Sequence, residues 1–365
     1  MFDVCIRGDG VVGRTLALLL AKERLRVALC TTPHAKSAPQ DVRAYALNQS
    51  SKRMLDGLRV WPSQDLATPV SAMHVWGDDR GAVSFNAQDA GQDALAWIVD
   101  VPALEQNLLD ACRFQSQIET VQQPATATLT LICEGQKSAS RAGVAAEWTR
   151  KPYPQKAIAA RLTSSVPHGG AARQWFAGSD VLALLPMGGA GGNSFGLVWS
   201  VDAERAELLA DLPPPDFCAA VTAVCGAEVG LLELISPTAT WPLALSTAQH
   251  WVGPGWALAG DAAHTVHPLA GQGLNLGLAD AAGLAGVLAG REYWRGLGDE
   301  KLLRRYERAR KAEVAAVGAV TDGLHSLFSQ TGGPWQAARN WGMNGFNASK
   351  GIKNWLTRHA AGLSA

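Results

Sequence analysis

The sequence predicts an α/β fold, α+β in overall organisation, with a parallel strand–helix layer, a separate mixed or antiparallel β-sheet and a helical C-terminus. Three observations carry that reading. Within the first 30 residues come an apolar strand (2–6), a turn bearing Gly8, Gly10 and Gly13, a helix with Leu16, Leu19 and Leu20, and a second apolar strand (26–30). That order makes a βαβ unit, whose strands lie parallel with a right-handed crossover. Between 155 and 201 the pattern changes: Phe195, Leu197, Trp199 and Val201 alternate along one run, as a half-buried strand requires. From 272 onward, apolar residues recur at helical spacing over 272–289 and 300–317.

The other elements follow from the same periodicities. Leu104, Leu108 and Leu109 predict an amphipathic helix, and 127–133 a buried strand. KAIAARL, VLALLPM and NSFGLVWSV read as strands of the second sheet. Three prolines at 213–215 break the chain, and a helix is expected from Asp216. Residues 256–260 return to buried-strand character, and the last forty read as helix interrupted by glycine.

Composition excludes several functions. A chain of 365 residues, 47% hydrophobic, supports one large or two interlocked domains. Basic and acidic residues number 32 each, so the charge balance gives no reason to expect a nucleic-acid partner, which needs a basic surface to neutralise its phosphates. Six cysteines without a Cys-x-x-Cys pair read as reduced thiols of a cytosolic chain. The first apolar stretch, interrupted by Arg14, is not a signal peptide, and no run of 18 apolar residues suggests a membrane span. His264 and His267 lack a third ligand at useful spacing, so no metal site is expected. Trp175, Trp199 and Trp241 either line an aromatic pocket or fill the core of the sheet; the pattern leaves both open.

Two constellations carry chemistry. Gly8-x-Gly10-x-x-Gly13 sits between strand and helix, where glycines permit a tight turn and close approach of a diphosphate to the helix N-terminus. This is a Rossmann-like dinucleotide signature. The acid that normally ends the second strand and holds the ribose is absent; Cys30-Thr31-Thr32 stands there. The second constellation runs from Gly260-Asp261 through His264, His267 and Pro268 to Gly271, Gly273, Leu274 and Asn275. A carboxylate at the end of a buried strand accepts from sugar or ribityl hydroxyls, and the amides that open the next helix face phosphate or an electron-rich ring.

GDAAHTVHPLAGQGLNLGLADA resembles the second flavin motif of the FAD-dependent aromatic hydroxylases, the 4-hydroxybenzoate-hydroxylase-like superfamily, and most of all its ubiquinone-biosynthesis hydroxylase branch. DVRAYALNQSS resembles the segment whose arginine, here Arg43, lies near the flavin. CEGQKSASR resembles the family's Asp-Gly motif, with Glu134 in place of aspartate. RKPYPQKAIAARL and VLALLPM resemble the entry to its substrate sheet, and LRRYERARK and DGLHSLF its C-terminal helices.

The resemblance implies a flavin-dependent monooxygenase: FAD as cofactor, NAD(P)H as transient reductant, O2 as oxidant, and a small aromatic substrate, a polyprenylated phenol of ubiquinone biosynthesis. Gly8, Gly10, Val12 and Gly13 are expected at the diphosphate, and Gly260 and Asp261 at the ribityl or phosphate-proximal hydroxyls. Pro268, Gly271, Gly273, Leu274 and Asn275 are expected along the isoalloxazine, with the Pro268 backbone beside it. Arg43, Gln106 and Glu134 are expected as secondary contacts; no general base is identified. The implied division is 1–70, 98–152 and 250–317 for the FAD-binding domain, 71–97 and 153–249 for the substrate domain, and 318–365 for a helical end. Cytoplasmic placement follows, with peripheral attachment to the inner membrane or to a biosynthetic complex. The missing ribose acid supports a second reading, a catalytically impaired accessory or scaffold subunit of such a complex.

Overall fold

A six-stranded sheet forms the first layer, built from β1 (Phe2–Arg7), β2 (Val27–Cys30), β8 (Ile118–Val121), β9 (Ala127–Ile132), β16 (Val252–Gly253) and β17 (Trp256–Leu258). Its order is β16-β17-β9-β1-β2-β8, and every pairing but β16–β17 is parallel. The computed structural model describes residues 1–31, 41–77, 81–144, 147–189, 191–266 and 272–329, with side chains to residue 319. β1 is covered on both faces: Val4 and Ile6 are buried on one and Cys5 on the other. The helices α1 (Val11–Lys22), α3 (Val101–Phe114), α7 (Gly273–Ala289) and α8 (Glu300–Ser329) belong to this layer. α3 starts where the Asp100 carboxylate accepts from Ala103 N–H at 3.1 Å, and it buries Leu104 and Leu108.

A nine-stranded mixed sheet forms the second layer. It contains β5 (Ala72–Trp76), β6 (Ala82–Asn86), β10 (Trp148–Ser164), β11 (Ala171–Ala177), β12 (Asp180–Met187), β13 (Ser194–Asp202), β14 (Leu232–Leu234), β15 (Ala239–Ala248) and β18 (His264–Thr265). The order is β18-β15-β10-β13-β12-β11-β5-β6, with β14 also on β10; all pairs are antiparallel except β11–β5. β10 spans 17 residues, with a register shift between Pro152 and Lys156. The alternating residues of β13 point into a core closed by α5 (Ala203–Ala210) and α6 (Pro214–Cys225). There Trp199 meets Phe217 edge-on at 6.5 Å and Trp175 stacks on Trp76 at 4.9 Å. Trp175 and Trp199 are therefore core, and Trp241 sits half-buried on β15 opposite Ala157.

A small sheet of β3 (Ala44–Leu47), β4 (Ala67–Val70) and β7 (Ala96–Asp100) lies against the second layer; α2 (Gln49–Gly57), capped by Asn48, comes between β3 and β4 in the chain, and the short α4 (Ser140–Gly143) comes after β9. Several boundaries differ from expectation. The helix after the prolines begins at Pro214 rather than Asp216, since proline is tolerated in a first turn. The strand expected over 256–260 stops at Leu258, because Gly260 at φ +64° turns the chain into a single 3-10 turn. The helix expected over 300–317 continues to Ser329, and residues 330–365 lie outside the described ones.

Candidate active site

The first glycine turn is dictated by its own backbone. A methyl group on Gly8, at φ +107°, would lie 2.5 Å from the Cys133 carbonyl oxygen, and one on Gly13 would lie 2.0 Å from the Gly8 carbonyl oxygen. Both positions exclude any side chain. A methyl group on Gly10 would meet nothing within 4 Å, so this residue opens onto free space. Gly10 is also the N-cap of α1 and offers no side-chain cap; the first amide to bond inside the helix is Arg14 N–H, to Gly10 O at 3.0 Å. The preceding amides of α1 and the helix dipole therefore face that space, a cradle suited to a diphosphate. The turn is anchored from below by the buried Asp9–Arg14 ion pair at 3.3 Å and by Arg14 Nη1 donating to Glu105 O at 3.1 Å.

The second glycine turn meets the first through one side chain. A methyl on Gly260 would lie 3.3 Å from Val12 Cγ2, and one on Gly277 of α7 would lie 2.8 Å from the same atom. Val12 thus fits a slot that two glycines keep open. Asp261 follows, half-buried beside this junction. Burial pushes its carboxyl above the usual range and Asp280 adds to the rise; His264, a hydrogen bond from Gln136 and the Arg43 charge oppose it.

The turn is held in place from behind by Asp280, a wholly buried carboxylate of α7. Its Oδ2 accepts from Gly260 N–H at 2.9 Å and pairs with His264 Nε2 at 2.6 Å, and its Oδ1 accepts from Arg310 Nε of α8 at 2.8 Å. Burial raises this carboxyl, but His264 and Arg310 outweigh it and hold the group below its ordinary value. His264 is further fixed by stacking on Trp251 at 4.8 Å. Its role is structural pairing with an acid. The single charge on an otherwise apolar stretch of α7 was the one sequence signal for this network, because a lone buried charge demands a partner.

The remaining expected residues are distributed unevenly. Gly273 opens α7 without a side-chain cap, leaving its first-turn amides for a ligand, and Leu274 packs at the edge of the core. The Asn275 side chain is committed elsewhere: Oδ1 accepts from Asn48 N–H and Ser51 Oγ, and Nδ2 donates to Ala46 O, tying α7 to β3 and α2. Pro268 and Gly271 lie outside the described residues. Arg43 grips the Asp41 carboxylate through Nε at 2.9 Å and Nη2 at 2.6 Å, and faces Glu105 at 3.5 Å. Gln106 is exposed and donates to Asp110 one turn along α3, while its neighbour Glu105 faces Arg43.

Glu134 accepts from Ser138 Oγ at 2.8 Å and Ser140 N–H at 3.0 Å, is bonded by Ser140 Oγ, and pairs with Arg7 at 3.3 Å. Burial raises its carboxyl, but these donors prevail and keep it below its ordinary value. Glu134 is one of the carboxylates at the carboxyl edge of the sheet, with Asp9 and Asp261. At the end of β2 the Thr31 hydroxyl lies 3.5 Å from Val121 O and its N–H donates to the same oxygen at 3.0 Å.

A cavity of about 170 Å3 opens between β10, β12 and β13 of the large sheet and β4 and β7 of the small one. Ile98, Phe195 and Met187 form buried apolar wall, Leu66 and Ile235 stand exposed, and Arg161 and Asp100 form an ion pair at 2.6 Å on its lining. Arg161 Nη2 also leans on Asp41 O and Arg43 O at 3.5 and 3.4 Å, which links the cavity wall to the segment facing Asp261. No sequence motif pointed to this pair, since its members lie 61 positions apart and meet only through sheet packing.

The chain is similar to known proteins. The model of the family described as FAD binding domain matches residues 103–321. Ubiquinone hydroxylase UbiL of Rhodospirillum rubrum is 30% identical over 390 residues, covering 99% of this chain and 89% of that protein. The 3-demethoxyubiquinol 3-hydroxylase of Escherichia coli is 28% identical over 395 residues, covering 99% and 98%. Among solved structures, p-nitrophenol 4-monooxygenase PnpA of Pseudomonas putida superposes with a TM-score of 0.78 at 16% identity, covering 100% of this chain and 98% of its own, a likeness of fold. The family match begins after the first glycine turn, which the two full-length relatives cover.

Proposed function

The chain belongs to the FAD-binding domain family, and from that premise we propose that it is an FAD-dependent hydroxylase acting on the aromatic ring of a phenol-type ubiquinone precursor, with NAD(P)H as reductant and O2 as oxidant. One observation carries the reading: the two glycine turns interlock through Val12, so an open helix N-terminus and a buried-side carboxylate face one space. In this reading Gly8, Gly10 and Gly13 with the α1 amides hold the diphosphate, and Asp261 accepts from the ribityl hydroxyls. The amides of 273–275 lie beside the flavin ring, with Pro268 and Gly271 completing that wall; Arg43 and Glu134 set the charge around it. When bound, the flavin supplies the redox chemistry. The chain supplies position, shelter from water and a preset field. The cavity at the sheet seam takes the ring.

Purified protein is expected to carry FAD and to convert an added prenylated phenol to a product one oxygen richer, at the expense of NAD(P)H. Replacing Asp261 with alanine should lower FAD affinity by about 1.5–3 kcal/mol, the worth of a charge-assisted hydrogen bond, read as flavin lost on gel filtration. The apoprotein should gain stability at neutral pH from the same change. A carboxyl whose folded-state pKa is raised opposes folding above that pKa, and removing it lifts the cost. Full flavin retention in this variant would refute the assigned role. A protein that stays colourless with excess FAD is instead the accessory subunit.

No helix among the described residues is long and apolar enough to cross a membrane. Surface attachment rests on Tyr293 and Trp294, 95% and 67% exposed and set edge-on at 4.9 Å between Arg291 and Arg295. Such rings have an apolar body and a polar tip, which suits a bilayer surface. Flotation with vesicles containing phosphatidylglycerol should carry the protein upward, and Tyr293→Ser with Trp294→Ser should leave it at the bottom.

A further inference from the structure

We propose that Arg161 is the residue by which the cavity selects its ring, donating to a ring-borne oxygen and so demanding a phenol over the corresponding hydrocarbon; this rests on the hydroxylase reading above. Size comes first. An apolar protein cavity of about 150 Å3 holds one benzene ring, and this one, at about 170 Å3, matches a monocyclic ring. Its buried wall of Ile98, Phe195 and Met187 offers no donor from a side chain, so apolar contact alone would not distinguish a phenol from an alkylbenzene.

Among the other lining side chains Thr68 and Ser194 carry neutral hydroxyls, and Arg161 is the one cationic donor. A guanidinium carries five N–H donors. Arg161 spends one on Asp100 at 2.6 Å and leans with Nη2 on two carbonyls at 3.4 and 3.5 Å, while its buried Nε has no partner among the described residues. A buried donor without a partner costs free energy until something accepts from it. Asp100 cannot swing away to take that place, because its other oxygen caps α3. The guanidinium is thus pinned beside the cavity with donating capacity to spare. Exposed Leu66 and Ile235 mark the side from which an apolar substituent leaves.

The test is calorimetry on the FAD-loaded protein with a short-chain 2-prenylphenol and the matching prenylbenzene, which lacks the oxygen. Wild-type protein should bind the phenol about ten- to a hundredfold more tightly, the span expected for a hydrogen bond from a charged donor. Arg161→Met should erase that preference and leave prenylbenzene affinity unchanged. The double variant Arg161→Met with Asp100→Asn should do the same without leaving a lone buried carboxylate, since asparagine retains the cap oxygen; it covers the case in which the single variant fails to fold. Arg161→Lys should restore part of the preference. A preference that persists in the double variant, or its absence from wild-type protein, overturns the proposal. FAD content and NAD(P)H-dependent oxygenation of the phenol, read on the same wild-type sample, report on the hydroxylase reading separately.

Discussion

The two glycine turns do the same job by different means. The turn at residues 8–13 is fixed by main chain against main chain, with Gly8 and Gly13 packed on carbonyl oxygens that leave no room for a Cβ. The turn at 260–261 is fixed by side chains that arrive from far along the chain, Asp280 from α7 and Arg310 from α8, around His264. A backbone-made turn is legible in a local string of glycines. A side-chain-made turn depends on residues 20 and 50 positions away, and its string alone does not reveal what holds it. The first should tolerate no side chain at Gly8 or Gly13; the second should fail through residues that never touch a ligand.

The sharpest way to break this contrast is Asp280→Asn. It should cost about 3 kcal/mol, the low end for opening a buried ion pair, because Glu313 still faces Arg310. The pH dependence follows from the sign of the shift. The folded-state carboxyl is held below its ordinary value, so its contribution is complete above the unfolded pKa and disappears as pH falls through the folded one. Thermal melts should therefore show the full gap at pH 7 and a narrowing gap below about pH 4.

Gly13→Ala should cost about 2–3 kcal/mol through collision with the Gly8 carbonyl, with loss of soluble protein or of flavin. Gly10→Ala separates folding from binding at the same turn: its melting temperature should match wild type while FAD affinity drops, since its methyl enters only the open cradle. Equal loss of stability in both variants would remove the distinction between them. The smallest effect belongs to Gln106→Ala, expected within about 0.5 kcal/mol of wild type and with unchanged flavin content, because the side chain is exposed and bonded only along its own helix.

Much of the fold was legible because periodicity is local. The βαβ start, the alternating run of β13 and the two long helices announce themselves within single windows of sequence. The eight-residue helix α5 and the five-residue strands β5 and β6 did not, since such short elements carry too few residues to show a clear period. At the site, the glycines were readable because each answers a steric demand of its neighbours. Glu105 shows the limit: adjacent helical residues point about 100° apart, so a sequence with Glu105 and Gln106 side by side does not reveal which of them faces Arg43. The Arg161–Asp100 pair lay beyond reach altogether, because only the packing of the small sheet against the large one brings β10 to the end of β7.

β10 has a mechanical consequence for the molecule. Its first residues pair with the end of β15, which in turn pairs with His264 and Thr265, while Arg161 near its far end forms cavity wall. A strand advances about 3.3 Å per residue, so the twelve steps from Thr149 to Arg161 make a beam of about 40 Å joined to both chambers. An extended chain barely stretches, so the spacing between the chambers is set by one member. The register shift between Pro152 and Lys156 is the one break in its pairing with β15, and such a bulge locally bends and twists a strand.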